Sequence, residues 1–140
     1  MIPVNFWAVL VSAILSMVIG YLWYGPLLGK QWVASMGWSE AQVQERMKSG
    51  SMWSYLWMFI GAFIMAFVLA HAIIFAESFL GFGGWQAGVA IGFANWVGFV
   101  APSSISGVLF EGKPWKWWFI AAGFWLVTLV VMGIVLAVWL

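Results

Sequence analysis

The side chains able to do chemistry fall into two groups in this 140-residue chain. The first is His71 with Asn5, Glu77 and Gln86, which the hydropathy pattern brings to one end of the molecule. His71 is the one histidine and the one group that titrates near neutral pH without help. A proton-linked or ligand-binding role is therefore open to it, beside a structural hydrogen bond to Asn5 or to a backbone carbonyl. It is also a possible axial ligand to haem or chlorophyll, provided Phe67 leaves room for a macrocycle. The second group is Asn95, Ser103, Ser104 and Ser106 around Pro102. Pro102 cannot donate to the carbonyl of Gly98, so a helix should loosen there, and the freed carbonyl and hydroxyls are placed to line a polar cavity. The alternative is that each serine bonds back to its own helix.

Little else supports catalysis or metal binding. There is no Asp, no Cys and no second His, so thiolate chemistry, disulfides and multi-ligand metal centres are excluded. Three of the four Glu lie in or beside the charged loops, and no nucleophile elbow, metal-binding His pair or phosphate-binding loop occurs. A nucleophilic Ser104 or Ser106 would need His71 as base, yet the pattern puts His71 toward the opposite end. A non-enzymatic protein is expected, with no bound cofactor required. A net charge of +1 gives no reason to expect nucleic acid.

The elements that must position these groups are apolar helices. The chain is 66% hydrophobic and 6% charged, whereas a soluble domain carries about 25% charged residues. Four runs exceed the roughly 18 residues needed to cross a bilayer: about 4–23, 55–76, 85–110 and 117–140. All five cations, Lys30, Arg46, Lys48, Lys113 and Lys116, fall in the connections 25–54 and 111–116. Loops rich in Lys and Arg stay cytoplasmic, so both termini are expected outside. The expected fold is an all-α, four-transmembrane-helix bundle forming one domain over 1–140. The N-terminus lacks the positive region of a secretory signal, so the first run is read as a retained span. Trp7 and Trp23 flank span one. Trp118 and Trp139 flank span four at about 31 Å of helix, matching an aromatic belt. Trp96 and Trp125 lie near mid-span, where helix packing or a ligand pocket must explain them.

The long connection carries a second pattern. Ser39 and Gln42 form a capping box, Trp38 and Val43 a hydrophobic staple, and Gly50 a stop, predicting a short cytoplasmic helix over 40–48. Val43 and Met47 would be its apolar face. Gly25-Pro26 is expected to break span one. Small residues recur at four-residue spacing as Ser12, Ser16 and Gly20, as Ala62, Ala66 and Ala70, and as Ala90, Ala94 and Gly98. Such stripes let helices approach closely in lipid, and three exceed what one small bundle needs, so some are expected to face another subunit. A faint parallel repeat relates Gly20-Tyr-Leu-Trp-Tyr-Gly25 to Gly107-Val-Leu-Phe-Glu-Gly112.

Val4-Asn5-Phe-Trp7-Ala-Val and Gly20-Tyr-Leu-Trp23-Tyr24-Gly25-Pro26-Leu-Leu-Gly29-Lys30-Gln-Trp32 resemble a family of small bacterial membrane proteins, domain of unknown function 1761. Met36-Gly37-Trp-Ser39-Glu40 and Phe110-Glu-Gly-Lys113 are also similar to it, so the resemblance covers nearly the whole chain. It implies four spans and a bacterial inner (plasma) membrane location, and no activity. Within the long motif, Trp23, Tyr24, Lys30 and Trp32 are read as interface anchors, or Lys30 joins Lys113 in recognising an anionic lipid headgroup. The expected function is a homo-oligomer whose interfaces form a small-solute or proton-linked pathway through His71, Asn5, Asn95, Ser103 and Ser104, with Glu77 at its outer border. The alternative is an accessory subunit of a larger membrane complex, one that carries pigment or haem.

Overall fold

In the computed structural model, which describes residues 3–50 and 52–139, every regular element is helical. Helix α1 spans Phe6–Leu22, α2 Gly29–Met36, α3 Glu40–Ser49, α4 Met52–Leu80 and α5 Trp85–Asn95. Two short turns, α6 (Ala101–Ser104) and α7 (Ser106–Leu109), carry the third span onward, and α8 spans Trp115–Trp139. Four helical runs are long and apolar enough to cross a membrane: Phe6–Leu27, Met52–Leu80, Trp85–Leu109 and Trp115–Trp139. Leu140, the expected end of span four, lies outside the described residues, as does the side chain of Met47.

Span one is not broken at Gly25-Pro26. Pro26 has no N–H to give the carbonyl four residues back. The helix instead widens into a π turn over Trp23–Leu27, which Leu28 N–H closes by donating to the Trp23 carbonyl at 2.9 Å. Only then does the chain turn into α2, a helix the sequence pattern did not announce, which stops at Gly37 in the left-handed conformation (φ 67°). Span three behaves alike. Asn95 leads into a π turn over Trp96–Val100, closed by Ala101 N–H on the Trp96 carbonyl, just ahead of Pro102. The capping box at Ser39 is formed as expected: Ser39 Oγ accepts from Gln42 N–H at 3.3 Å, and Gln42 Oε1 accepts from Ser39 N–H at 2.9 Å. Gly50 follows the last turn of α3.

Helix α8 is the hub, packing against α1, α4 and α5 and burying more of itself than any other span. Val9, Ile73, Met132 and Leu136 are fully buried at the centre, cushioned by Ala8, Ala13, Ala66 and Ala70. Two of the small-residue stripes are consumed here, since Ser12, Ser16, Ala62, Ala66 and Ala70 are all buried. The third is not, because Ala90, Ala94 and Gly98 are exposed. Helix α5 meets α8 through other glycines. A Cβ built on Gly88 or Gly133 would overlap the other's carbonyl oxygen, and one on Gly92 would stand 2.5 Å from the Leu129 carbonyl. The two backbones therefore touch.

Asn5 Nδ2 donates to the Trp139 carbonyl at 2.8 Å, so the start of α1 and the end of α8 share one end of the bundle. The α4–α5 turn lies at that end as well. All five cations lie toward the other end, Lys30, Arg46 and Lys48 on α2 and α3, Lys113 in the turn before α8 and Lys116 in the first turn of α8.

Gly88→Ala should destabilise the bundle by about 3 kcal/mol through overpacking against backbone that cannot yield. Gly98→Ala, with no atom within 4 Å of its Cβ, should be neutral or slightly stabilising. Denaturant unfolding of the two variants in mixed micelles tests the difference, and equal stabilities would contradict the close contact.

Candidate functional site

The polar residues marked by the sequence are held apart, each by its own helix. Asn5 is the N-cap of α1: its Oδ1 accepts from Trp7 N–H at 3.0 Å and Ala8 N–H at 3.4 Å, while its amide ties down Trp139. His71 is half-buried, with Nδ1 2.8 Å from the Phe67 carbonyl. That carbonyl can only accept, so Nδ1 carries a proton and donates it. The Phe67 ring stands edge-on at 4.5 Å and is itself stacked by Phe6, so aromatic rings crowd the imidazole. Neither large hollow of the bundle reaches His71. Glu77 accepts from Gly84 N–H at 3.2 Å and closes the α4–α5 turn, and Gln86 is exposed.

On span three, Asn95 Nδ2 donates to the Ile91 carbonyl at 2.8 Å. Ser103 donates to the carbonyl of Phe99, Ser104 to that of Ala101 and Ser106 to that of Ser103. The three hydroxyls thus bond back to their own helix. Asn95 alone reaches a hollow, an apolar groove of about 380 Å³ between α4, the π turn of span three and α8, walled by Ile64, Val68, Phe99 and Leu129.

Three tryptophans donate further tertiary hydrogen bonds. Trp23 Nε1 donates to the Ile120 carbonyl at 2.9 Å, Trp96 Nε1 to the Ala122 carbonyl at 2.7 Å, and Trp118 Nε1 to Ser104 Oγ at 3.0 Å. Trp23 and Trp96 each open a π turn, each stand two residues before a glycine, and each clamp α8. Spans one and three are therefore related in the register Trp23-Tyr-Gly25 to Trp96-Val-Gly98, which differs from the register that matched Gly20–Gly25 with Gly107–Gly112. Trp23 is turned into the bundle as a clamp, and Trp96 at mid-span is explained the same way. Trp125 packs against Phe124 at 4.8 Å.

A hollow of about 1030 Å³ lies at the cation-bearing end between the π turn of span one, α2, α3 and the start of α4. Tyr24, Trp32, Trp38 and Tyr55 wall it, and Lys30 and Arg46 lie on its lining. Tyr24 meets Trp32 edge-on at 5.3 Å, and Trp32 meets Trp38 likewise at 5.3 Å. Arg46 stands over the Trp38 ring at 4.5 Å. Lys113, the partner the sequence offered to Lys30, instead stands over Trp117 at 4.2 Å and is no part of this lining. The hollow thus gathers five residues of the motif Gly20 to Trp32, namely Tyr24, Gly25, Gly29, Lys30 and Trp32, together with Trp38 beyond it. A family model for proteins of unknown function, DUF1761, matches residues 7–137. The chain belongs to that family. No curated protein and no solved structure matches it.

The DUF1761 chain also buries two hydroxyls without a hydrogen-bond partner among the described residues, Ser12 Oγ and Thr128 Oγ1. Sequence reading took Ser12 for its size and passed over Thr128, which the apolar run around it hides. No group of three or more His, Cys, Asp or Glu able to hold a metal ion occurs among the described residues.

Trp96→Phe keeps an aromatic side chain but deletes the bond to α8 and part of the indole's volume, and should cost at least about 1 kcal/mol in denaturant unfolding in micelles. Thr128→Val replaces an unpaired hydroxyl by a methyl and should leave stability unchanged or raise it by about 1 kcal/mol. A loss from Thr128→Val would mean that this hydroxyl is engaged.

Proposed function

We propose that this protein is a non-enzymatic, four-span protein of the bacterial plasma membrane that works as an assembly of its own copies. The cation-bearing loops lie in the cytoplasm and both termini outside, in keeping with the clustering of all five cations at one end. The contact surface between copies is the outward side of the third span. One observation carries this reading: the least buried of the four spans is the one whose small residues, Ala90, Ala94 and Gly98, lie exposed together with Ser103 and Ser106. Hydroxyls and small side chains gain little from acyl chains, whereas a second helix can approach them closely and pack.

A polar route, if the assembly carries one, runs between subunits rather than through a single chain. Asn95 spends one amide hydrogen on Ile91, which leaves its remaining hydrogen and its carbonyl for a solute or a neighbour. Asn5 serves as a cap, and His71 is bound to its own helix.

The chain has no cysteine, so a single one can be introduced without background. Ala94→Cys in native membranes should give a cross-linked dimer with a short thiol-specific bifunctional reagent. Val68→Cys, exposed on α4, should give none. A monomer from both variants would overturn the assembly, and cross-linking of Ala94→Cys to a different protein would replace it with an accessory role in a larger complex.

A further inference from the structure

We propose that Asn95 pairs amide to amide with Asn95 of the partner subunit, closing the contact between two copies at the middle of the bilayer. The depth follows from the packing. Gly88 lies against Gly133 and Gly92 against Leu129, so α5 and α8 run antiparallel in a fixed register. Three residues beyond Gly92, Asn95 stands level with the middle of α8. The α4 residues that share its groove, Ile64, Met65, Val68 and Leu69, belong to the middle of Met52–Leu80. Trp96, bonded to the Ala122 carbonyl at 2.7 Å, fixes the rotation of the span and so the direction of the neighbouring amide.

At that depth an amide has few partners to choose from. Asn95 Nδ2 gives one hydrogen to the Ile91 carbonyl, while its second hydrogen and Oδ1 have no partner among the described residues. The rest of the groove is apolar. Unmet hydrogen-bonding capacity is costly in hydrocarbon. An acyl chain fills such a groove but offers neither donor nor acceptor, and water and lipid headgroups stay at the bilayer surfaces. A second helix can supply both, and a copy of this chain carries the matching group already. A primary amide holds a donor beside an acceptor, so two of them form a closed pair with two hydrogen bonds. Copies related by an axis along the bilayer normal bring the same residue to the same depth, and a two-fold contact sets that residue against itself. The short Asn side chain requires close approach. The exposed Ala94 and Gly98 beside it permit that, with no atom within 4 Å of a Cβ built on Gly98. The inference rests on the assembly proposed above and names the bond that holds it.

The test is energy transfer between copies of the full chain, labelled with donor or acceptor dye on a single cysteine in place of Phe82 and diluted stepwise with phosphatidylcholine in vesicles. Asn95→Leu should raise the dissociation constant about tenfold. Asn95→Ala should do the same, so the loss does not hang on the bulk of leucine, and Asn95→Gln, which keeps an amide, should recover part of it. Wild type mixed with Asn95→Leu should associate as weakly as Asn95→Leu with itself, because one amide without its counterpart makes no pair. Association midway between the two parents would mean that each Asn95 bonds some other group of the partner, and would overturn the pair. An unchanged dissociation constant in both the Leu and Ala variants would overturn it as well, with assembly between copies left standing. Absence of transfer in wild type at every density would instead overturn the assembly, and the pair with it.

Discussion

Helices α5 and α8 pack with backbone against backbone, and the rest of the bundle is arranged around that contact. Gly88 and Gly133 face each other with no room for a single carbon, and Gly92 lies against the carbonyl of Leu129. Apolar side chains gain nothing from leaving lipid for one another, so van der Waals contact at this distance and hydrogen bonds across helices must supply the association. The contact draws the third span close enough for Trp96 to reach the Ala122 carbonyl. One turn of α8 then offers neighbouring carbonyls to Trp96 and, from the other side, to Trp23. The two indoles hold spans one and three to a common helix where each is locally widened by a π turn.

The spans could be read from the sequence because length and hydropathy suffice for that, and the capping box at Ser39 because its two hydrogen bonds are local. The facing of the spans could not. A helix apolar all round gives no amphipathic signal, so the choice between Ala90-x-x-x-Ala94 and Gly88-x-x-x-Gly92 as the packed stripe has no basis in hydropathy, and the glycines are the ones that pack. Gly25-Pro26 reads as a break by residue preference, yet a π turn absorbs the missing donor and the helix goes on to Leu27. Trp23 reads as an interface anchor because tryptophan is common there, whereas its indole finds a carbonyl inside the bundle. Each miss arises where a tertiary contact decides between options that local sequence leaves equal.

The site residues divide in the same way. Polar groups singled out because they are costly in lipid make hydrogen bonds within their own helix or as caps, which lowers that cost. Two other features lie at the surface of the bundle: an exposed face of small and hydroxylated residues on the third span, and an aromatic hollow lined by Lys30 and Arg46 at one end. Lys30 belongs to that hollow together with Arg46, a pairing that no sequence spacing announces because α2 and α3 must fold first. Tyr24, Gly25, Gly29, Lys30 and Trp32 of the motif Gly20 to Trp32 line the same hollow, whereas Trp23 clamps α8.

The account depends on the two ends of the bundle lying on opposite sides of a bilayer. Single cysteines at Phe82, in the α4–α5 turn, and at Lys116, in the first turn of α8 at the cation-bearing end, can be probed in intact cells with a membrane-impermeant thiol reagent. Phe82→Cys should be labelled directly, and Lys116→Cys only after the membrane is permeabilised. Labelling of both from the same side, or of Lys116→Cys alone, would contradict the proposed crossing and orientation.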